Sequence, residues 1–483
     1  MSDARYVSGL QLGRLLGELP AERPFYAALA RGIRSLIQDG RVALRVRLPA
    51  ERDLATALGV SRTTVTSAYD ALRADGYISS RQGAGSWTAL PATLMPANGA
   101  PRTAFTAFVH GFEAPGTIDL GCAAPGAPGL FEEAVAAAVG ELPRYSGGPG
   151  YEPAGLMVLR QAIAERYTTR GLPTRAEEIV VTVGAQHAFT LLTSTLIDRG
   201  DAVLIERPTY PHALSSLRNQ GARLVPVGVQ DGWDLDLIGA SMRQAAVRLA
   251  YLIPDFQNPT GHLMTGPDRE QLVAAARSAQ SYLVADETFA ELEIDGPPVL
   301  PTAAFDAGNR VISIGSASKL LWGGLRIGWI RTTIPLARRL ATAREPMDIA
   351  GPVLDQLIAV ELLQRIEEVR AERKIFLRER RDALVGALRD RLPSWSFTVP
   401  PGGMSVWARL PAPVASVVAD AAFHRGVRVI PGVVFGADGV LEDCIRLPFV
   451  LPPDALREAV DRLAAAYADS ESVPATRPLP AYV

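Results

Sequence analysis

"IGSASKLLWGGLRIGW", residues 314–329, holds a lysine among serines, glycines and one arginine, in a chain that almost never uses lysine. Lys and Arg together number 49, and only Lys319 and Lys374 are lysine. Arginine serves wherever a fixed positive charge is enough. It cannot serve where an amine must lose its proton and attack a carbonyl, because guanidinium stays protonated. The amine kept at 319 therefore points to a Schiff-base lysine.

Around this stretch the chain alternates. "EIVVTVG" (178–184), "DAVLIE" (201–206), "ARLVPVGV" (222–229), "RLAYLIP" (248–254), "SYLVADE" (281–287) and "RVISIGS" (310–316) are short apolar runs. Helical segments such as "QHAFTLLTSTLI" and "DREQLVAAARSA" separate several of them. That order predicts a mostly parallel sheet covered by helices, an α/β large domain. The helical stretch 350–391 and the Gly/Pro-punctuated strands of 395–449 predict a smaller α+β lobe, from about 345 to 468. Residues 91–116, rich in Pro, Gly, Ala and Thr without a stable period, read as a linker. Residues 469–483 read as a flexible tail.

The front of the chain differs. Residues 1–22 form an N-terminal segment without a clear pattern. In "RPFYAALARGIRSLIQDG" (23–40), Phe25, Leu29, Ile33, Leu36 and Ile37 fall on one helical stripe. "LPAERDLATALGVSRTTVTSAYDALRADGY" (48–77) gives two helices around Gly59, with Ser61 capping the second. Val65, Ala68, Tyr69 and Leu72 make the inner face of that second helix, and "YISSRQGAGSWTA" (77–89) reads as a hairpin wing. Residues 1–90 hold 12 Arg, no Lys and 8 acids, a balance of +4 inside a total of −2. A basic front on an acidic body suits an anionic partner for the front alone.

This helix–turn–helix–wing order over 23–90 resembles the winged helix-turn-helix of the GntR family, which "LPAERDLATALGVSRTTV" matches nearly word for word. The resemblance implies double-stranded DNA as partner. Arg62, Thr63, Thr64 and Thr66, with Ser61, would face the groove and its phosphates; Arg47 and Arg52 would contact the backbone. Gly83 and Gly85 would let the wing tip approach closely.

From 117 to about 468 the chain resembles the fold-type I aminotransferases, and the join of the two parts resembles the MocR-type regulators. "ASKLLWGGLRIGW" then makes Lys319 the lysine that forms an internal aldimine with pyridoxal 5'-phosphate (PLP). Ser316, Ser318 and Arg326 fit the phosphate-anchoring positions. "TVGAQHAF" (182–189) would offer donors from Gly184, Ala185 and Gln186 at a helix N-terminus. Asp286 of "LVADETF" would bond the pyridine nitrogen, Asn258 of "PDFQNPTG" the ring O3', and Tyr210 of "ERPTYPHA" would stack on the ring. Tyr151 of "GYEPAGLMVLR" would reach the neighbouring subunit's phosphate, which implies a homodimer, with exchange of the DNA-binding heads left open. Arg446 of "CIRLPFV" would clamp a substrate carboxylate.

One position departs from the family: Phe289 stands where a tyrosine usually bonds O3'. The loss puts efficient transamination in doubt, though not cofactor binding. The expected function is a PLP-binding regulator that senses PLP or an amino compound through Lys319; an active aminotransferase with an appended winged helix is the alternative. Two distant cysteines, Cys122 and Cys444, and five scattered histidines give no disulfide framework and no metal site. No signal pattern and no membrane-spanning apolar run stand out, so a cytoplasmic protein that does not enter membranes is expected.

Overall fold

A computed structural model describes residues 6–17, 24–38, 42, 46–81, 85–89, 116–437 and 440–471. They fall into two compact units, 6–89 and 116–471. The expected linker, apart from Gly116, lies outside the described residues, as do Gly83 and everything beyond 471.

The first unit is built on four helices, α1 (Gly9–Leu16), α2 (Phe25–Gln38), α3 (Glu51–Leu58) and α4 (Arg62–Ala74), and a hairpin, β1 (Ile78–Arg81) with β2 (Gly85–Thr88). α1 falls in the segment that showed no clear pattern. Ser8 caps it, its side chain accepting from the Gln11 amide while Gln11 bonds back to the Ser8 amide, and Leu12 is fully buried. Leu29, Ile33, Leu54, Val65 and Leu72 close the core, each burial worth roughly 1.5–3 kcal/mol. Gly59 ends α3 in the left-handed region, at φ 65°, and Ser61 caps α4 by accepting from the Thr64 amide at 3.1 Å. Tyr69, buried in α4, donates to the Pro49 carbonyl at 3.0 Å and ties the second helix to the turn before the first.

The second unit opens on a short strand, β3 (Ile118–Asp119), and is organised by a seven-stranded sheet: β4 (Ile179–Thr182), β5 (Ala202–Arg207), β6 (Arg223–Gly228), β7 (Leu249–Leu252), β8 (Tyr282–Asp286), β9 (Val311–Ser316) and β10 (Gly328–Arg331). Its order is β4-β10-β9-β8-β7-β5-β6. Five strands pair in parallel, and β10 runs antiparallel to both its neighbours. The sheet is thus mixed, as "mostly parallel" allowed, although β10 itself was not foreseen. Strands β4, β5, β7, β8 and β9 are buried nearly throughout, which is why they read as continuous apolar runs rather than as alternating ones, while the edge strand β6 is largely part-exposed.

A second sheet holds Ser405–Arg409, Ile430–Pro431 and Cys444–Pro448, beside the long helix Ile366–Arg391 and the last helix, Pro453–Glu471. That last helix runs to 471, into the stretch read as a tail. The helical stretch 350–391 divides at Arg365 into Val353–Gln364 and Ile366–Arg391. Ile118–Asp119 pairs in parallel with Val427–Arg428, so the start of this unit belongs beside its end. Among the described residues no helix is long and apolar enough to cross a membrane.

Candidate functional site

Parallel strands deliver their carboxyl ends to one edge of a sheet, and chemistry collects there. β4 ends at Thr182, before Gly184; β5 leads to Tyr210; β7 to Asn258; β8 ends on Asp286; β9 leads through Ser316 and Ser318 to Lys319. Because β10 is reversed, its start, Gly328, comes to the same edge, paired with Ser316 on one side and Thr182 on the other. Arg326 precedes it in the left-handed region, at φ 53°.

Lys319 lies in a short helical turn, Ser318–Trp322, and its Nζ donates to the Ala123 carbonyl at 2.8 Å. Burial, with Arg446 and Arg326 nearby, lowers its ammonium pKa to about 8, against the opposing pull of Cys122 and Asp286. Neither Cys122 nor Ala123 stood out in the sequence. They sit on the segment after Ile118–Asp119, which only the folded chain brings to the sheet edge.

Asp286 is buried, and burial raises its carboxyl pKa; hydrogen bonds from Thr288 and Tyr251 and the charge of Lys319 act the other way. Tyr251 donates to Oδ2 at 2.7 Å and the Thr288 amide donates to Oδ1 at 3.0 Å. Tyr251, on β7, looked like one more strand residue in sequence. Phe289, mostly buried, places its ring centroid 5.9 Å from Lys319 Nζ.

Arg446 is buried; its Nη1 donates to Asn258 Oδ1 at 3.5 Å, and its Nη2 donates to the Gly121 carbonyl. Burial lowers its guanidinium to about 10. Tyr210 is also shielded, and burial raises its phenol pKa. Asn258–Pro259 and Arg207–Pro208 are cis. Behind them Gln257 donates to Glu206 Oε2 at 2.9 Å and to the Pro208 carbonyl at 2.8 Å, joining the Asn258 and Tyr210 turns.

An anion seat lies at the start of the helix Gly184–Leu196. Arg326 is exposed and, among the described residues, donates only to carbonyls, Val183 at 3.2 Å and Gly323 at 3.5 Å. A guanidinium at a helix N-terminus, paired with no carboxylate among the described residues, calls for an anion. A Cβ on Gly184 (φ 81°) would stand 2.8 Å from Arg326 Nη2, and one on Gly328 would stand 2.5 Å from the Gly184 carbonyl carbon. Gln186 is partly committed: its Nε2 donates to Ser216 Oγ at 2.8 Å, and its buried Oε1 has no partner among the described residues. Ser316 Oγ accepts from the Ser318 amide at 3.1 Å. A depressed amine, a buried carboxylate and an anion seat on one edge fit PLP. Tyr151 stands apart, 65% exposed.

In the first unit Arg62 is exposed, its Nε 3.6 Å from Glu51. Thr63 and Thr64 place their hydroxyls 2.7 and 2.8 Å from Ser61 Oγ. Thr66 donates to Glu51 at 2.9 Å and to the Arg62 carbonyl at 3.0 Å, so its hydroxyl is engaged within the fold. Arg52 is exposed on α3. Arg47 lies against the wing, where a Cβ on Gly85 would meet its Nε at 2.9 Å.

Two families match the chain: "Bacterial regulatory proteins, gntR family" over residues 25–87, and "Aminotransferase class I and II" over 135–463. The probable rhizopine catabolism regulatory protein MocR of Rhizobium meliloti is 30% identical, covering 94% of this chain and 95% of its own. The 2-aminoadipate transaminase of Thermus thermophilus is 35% identical over 72% of this chain and 89% of its own. Among solved structures, the α-aminoadipate aminotransferase LysN of Thermus thermophilus, complexed with N-(5'-phosphopyridoxyl)-L-leucine, has a TM-score of 0.70. It is 31% identical, over 77% of this chain and 96% of its own. A winged helix that binds DNA, joined to a PLP-type aminotransferase body and matched over 94% of the chain by a regulator, places this chain in the MocR-type branch of the GntR family of transcriptional regulators.

Proposed function

We propose that the aminotransferase-like body is a sensor, and that the amino compound it admits at Lys319 alters the protein's hold on DNA. When bound, PLP supplies a carbonyl carbon that condenses with amines and a ring that withdraws electrons. The chain's own part is to keep Lys319 partly deprotonated near neutral pH, to present Asp286 as a carboxylate, and to offer Arg446 to a carboxylate. Gly184, Ala185, Ser316, Ser318 and Arg326 would hold the phosphate, Asn258 and Tyr210 the ring. The observation that carries the sensor reading is Phe289 facing Lys319 with a ring and no hydroxyl. The site keeps its capture groups and lacks one group of the usual turnover set.

The effector would be an amino acid or amine. A homodimer is part of the proposal, since Tyr151 is exposed here and would complete a neighbour's site. The DNA partner implies action in the cytoplasm. The enzyme reading draws on the likeness to a 2-aminoadipate transaminase. A visible spectrum of the holoprotein before and after a panel of amino acids separates the two: a sensor shows a persistent spectral change, an enzyme shows turnover to a keto acid.

A further inference from the structure

The second lysine is not absorbed by this site. Lys374 sits on the helix Ile366–Arg391 and makes no hydrogen bond or ion pair among the described residues. It lines a groove of about 230 Å³, whose opposite wall is the segment Glu291, Leu292 and Glu293, a few residues beyond Asp286. Arg373 lines the same groove although it is only 2% exposed. Its Nε donates to the Leu320 carbonyl at 2.9 Å and its Nη2 to the Leu321 carbonyl at 2.8 Å, the two residues after Lys319. Its Nη1 bonds nothing among the described residues. The acids of the far wall are unequal. Glu291 pairs with Arg166, while Glu293, about nine-tenths buried, accepts from Arg370 on Oε1 and leaves Oε2 without a partner among the described residues.

We infer that this groove is a second, non-covalent effector site for a free amino acid. Its carboxylate would lie on Lys374 Nζ and Arg373 Nη1, and its ammonium group would face Glu293. Spare donors stand on one wall, and Glu293 on the other keeps a shielded carboxylate oxygen with no partner among the described residues, a combination that suits a zwitterion. The lining sets three acids, Glu291, Glu293 and Glu367, against Arg370, Arg373 and Lys374, a balance that suits a zwitterion better than a multiply charged anion such as phosphate. The coupling route is short. The guanidinium that would meet the ligand is the one that fixes the turn carrying Lys319, so occupancy of the groove and the state of Lys319 bias each other. The coupling, though not the groove, rests on the sensor reading above.

The test uses holoprotein reduced with borohydride, so that Lys319 can no longer exchange partners, and L-alanine as probe, followed by ligand-observed NMR. We expect alanine to bind the reduced protein. Lys374→Met, at a partner-less and part-exposed position, should weaken binding at least tenfold, while Arg446→Ala leaves it within twofold. Glu293→Gln should weaken alanine and spare propionate, which has no ammonium group. No binding to the reduced protein overturns the inference, as does binding that survives Lys374→Met or disappears with Arg446→Ala. If no cofactor is attached at all, it is the sensor reading that fails, and alanine binding to the unreduced chain still tests the groove.

Discussion

Tyr251 and Asp286, on adjacent strands β7 and β8, are joined by a hydrogen bond of 2.7 Å between two buried side chains, the phenol donating to Oδ2. A carboxylate held away from water depends on its donors, and here the hydroxyl of a strand tyrosine shares that task with the Thr288 amide. Tyr251→Phe removes a bond to a charged group, which costs roughly 1.5–3 kcal/mol. Burial already raises the Asp286 pKa, and losing a donor raises it further. A raised folded pKa means stability that is present at low pH and lost as pH rises through it. The deficit of Tyr251→Phe should therefore be largest at neutral pH and narrow on acidification, in denaturant unfolding of the cofactor-free protein. An equal deficit at every pH would deny that Tyr251 acts on the ionised carboxyl.

Lys319 makes a second prediction. With its pKa lowered to about 8, the free amine becomes the major form above that value and the ammonium below it. Attachment of added PLP, followed by absorbance, should speed up with rising pH and level off above about 8. Lys319→Ala should lose the covalent attachment and keep weaker binding through the anion seat at Arg326 and Gly184. A rate that climbs without levelling until pH well above 10 would mean a lysine with its ordinary pKa of about 10.4.

Phe289→Tyr restores a hydroxyl beside Lys319. The pH midpoint of the cofactor's visible band should fall in this variant, because a new donor favours the deprotonated chromophore. Turnover of amino acids, expected to be slow in the wild type, should rise. A midpoint that stays in place would show that the added hydroxyl does not reach the chromophore.

Much of this site was legible in sequence, because family motifs sit at strand ends and each carries its own chemistry. Lys319 could be singled out because arginine had replaced nearly every other lysine. Tyr251, Ala123 and Cys122 could not. Their roles come from which strands become neighbours and from the pairing of 118–119 with 427–428, contacts that span far too much chain for a local pattern to reveal. β10 was hidden for a similar reason: four residues directly after the glycine-rich turn, "GWIR", are too few to show a period. In the head, the capped helix α4 was readable from Ser61 and its apolar stripe, whereas the engagement of Thr66 by Glu51 depends on how α3 and α4 cross.

Arg62, exposed at the start of α4, should matter for DNA. Arg62→Ala is expected to cost roughly 1–3 kcal/mol on sites selected from a random pool, if the guanidinium reads a base edge. Thr66→Val should change DNA affinity less, since its hydroxyl is used inside the fold. An equal loss on all sequences would make Arg62 a phosphate contact, and no loss would take α4 out of the interface.

In the proposed sensor, chemistry at Lys319 is read out on DNA. The direct test measures DNA affinity at fixed salt for the holoprotein, with and without an amino acid that changes its visible spectrum, in wild type and Lys319→Ala. The amino acid should shift affinity at least severalfold in the wild type and not in Lys319→Ala. Unchanged affinity in the wild type, together with transamination near the usual enzyme rate of about 10 per second, would contradict it.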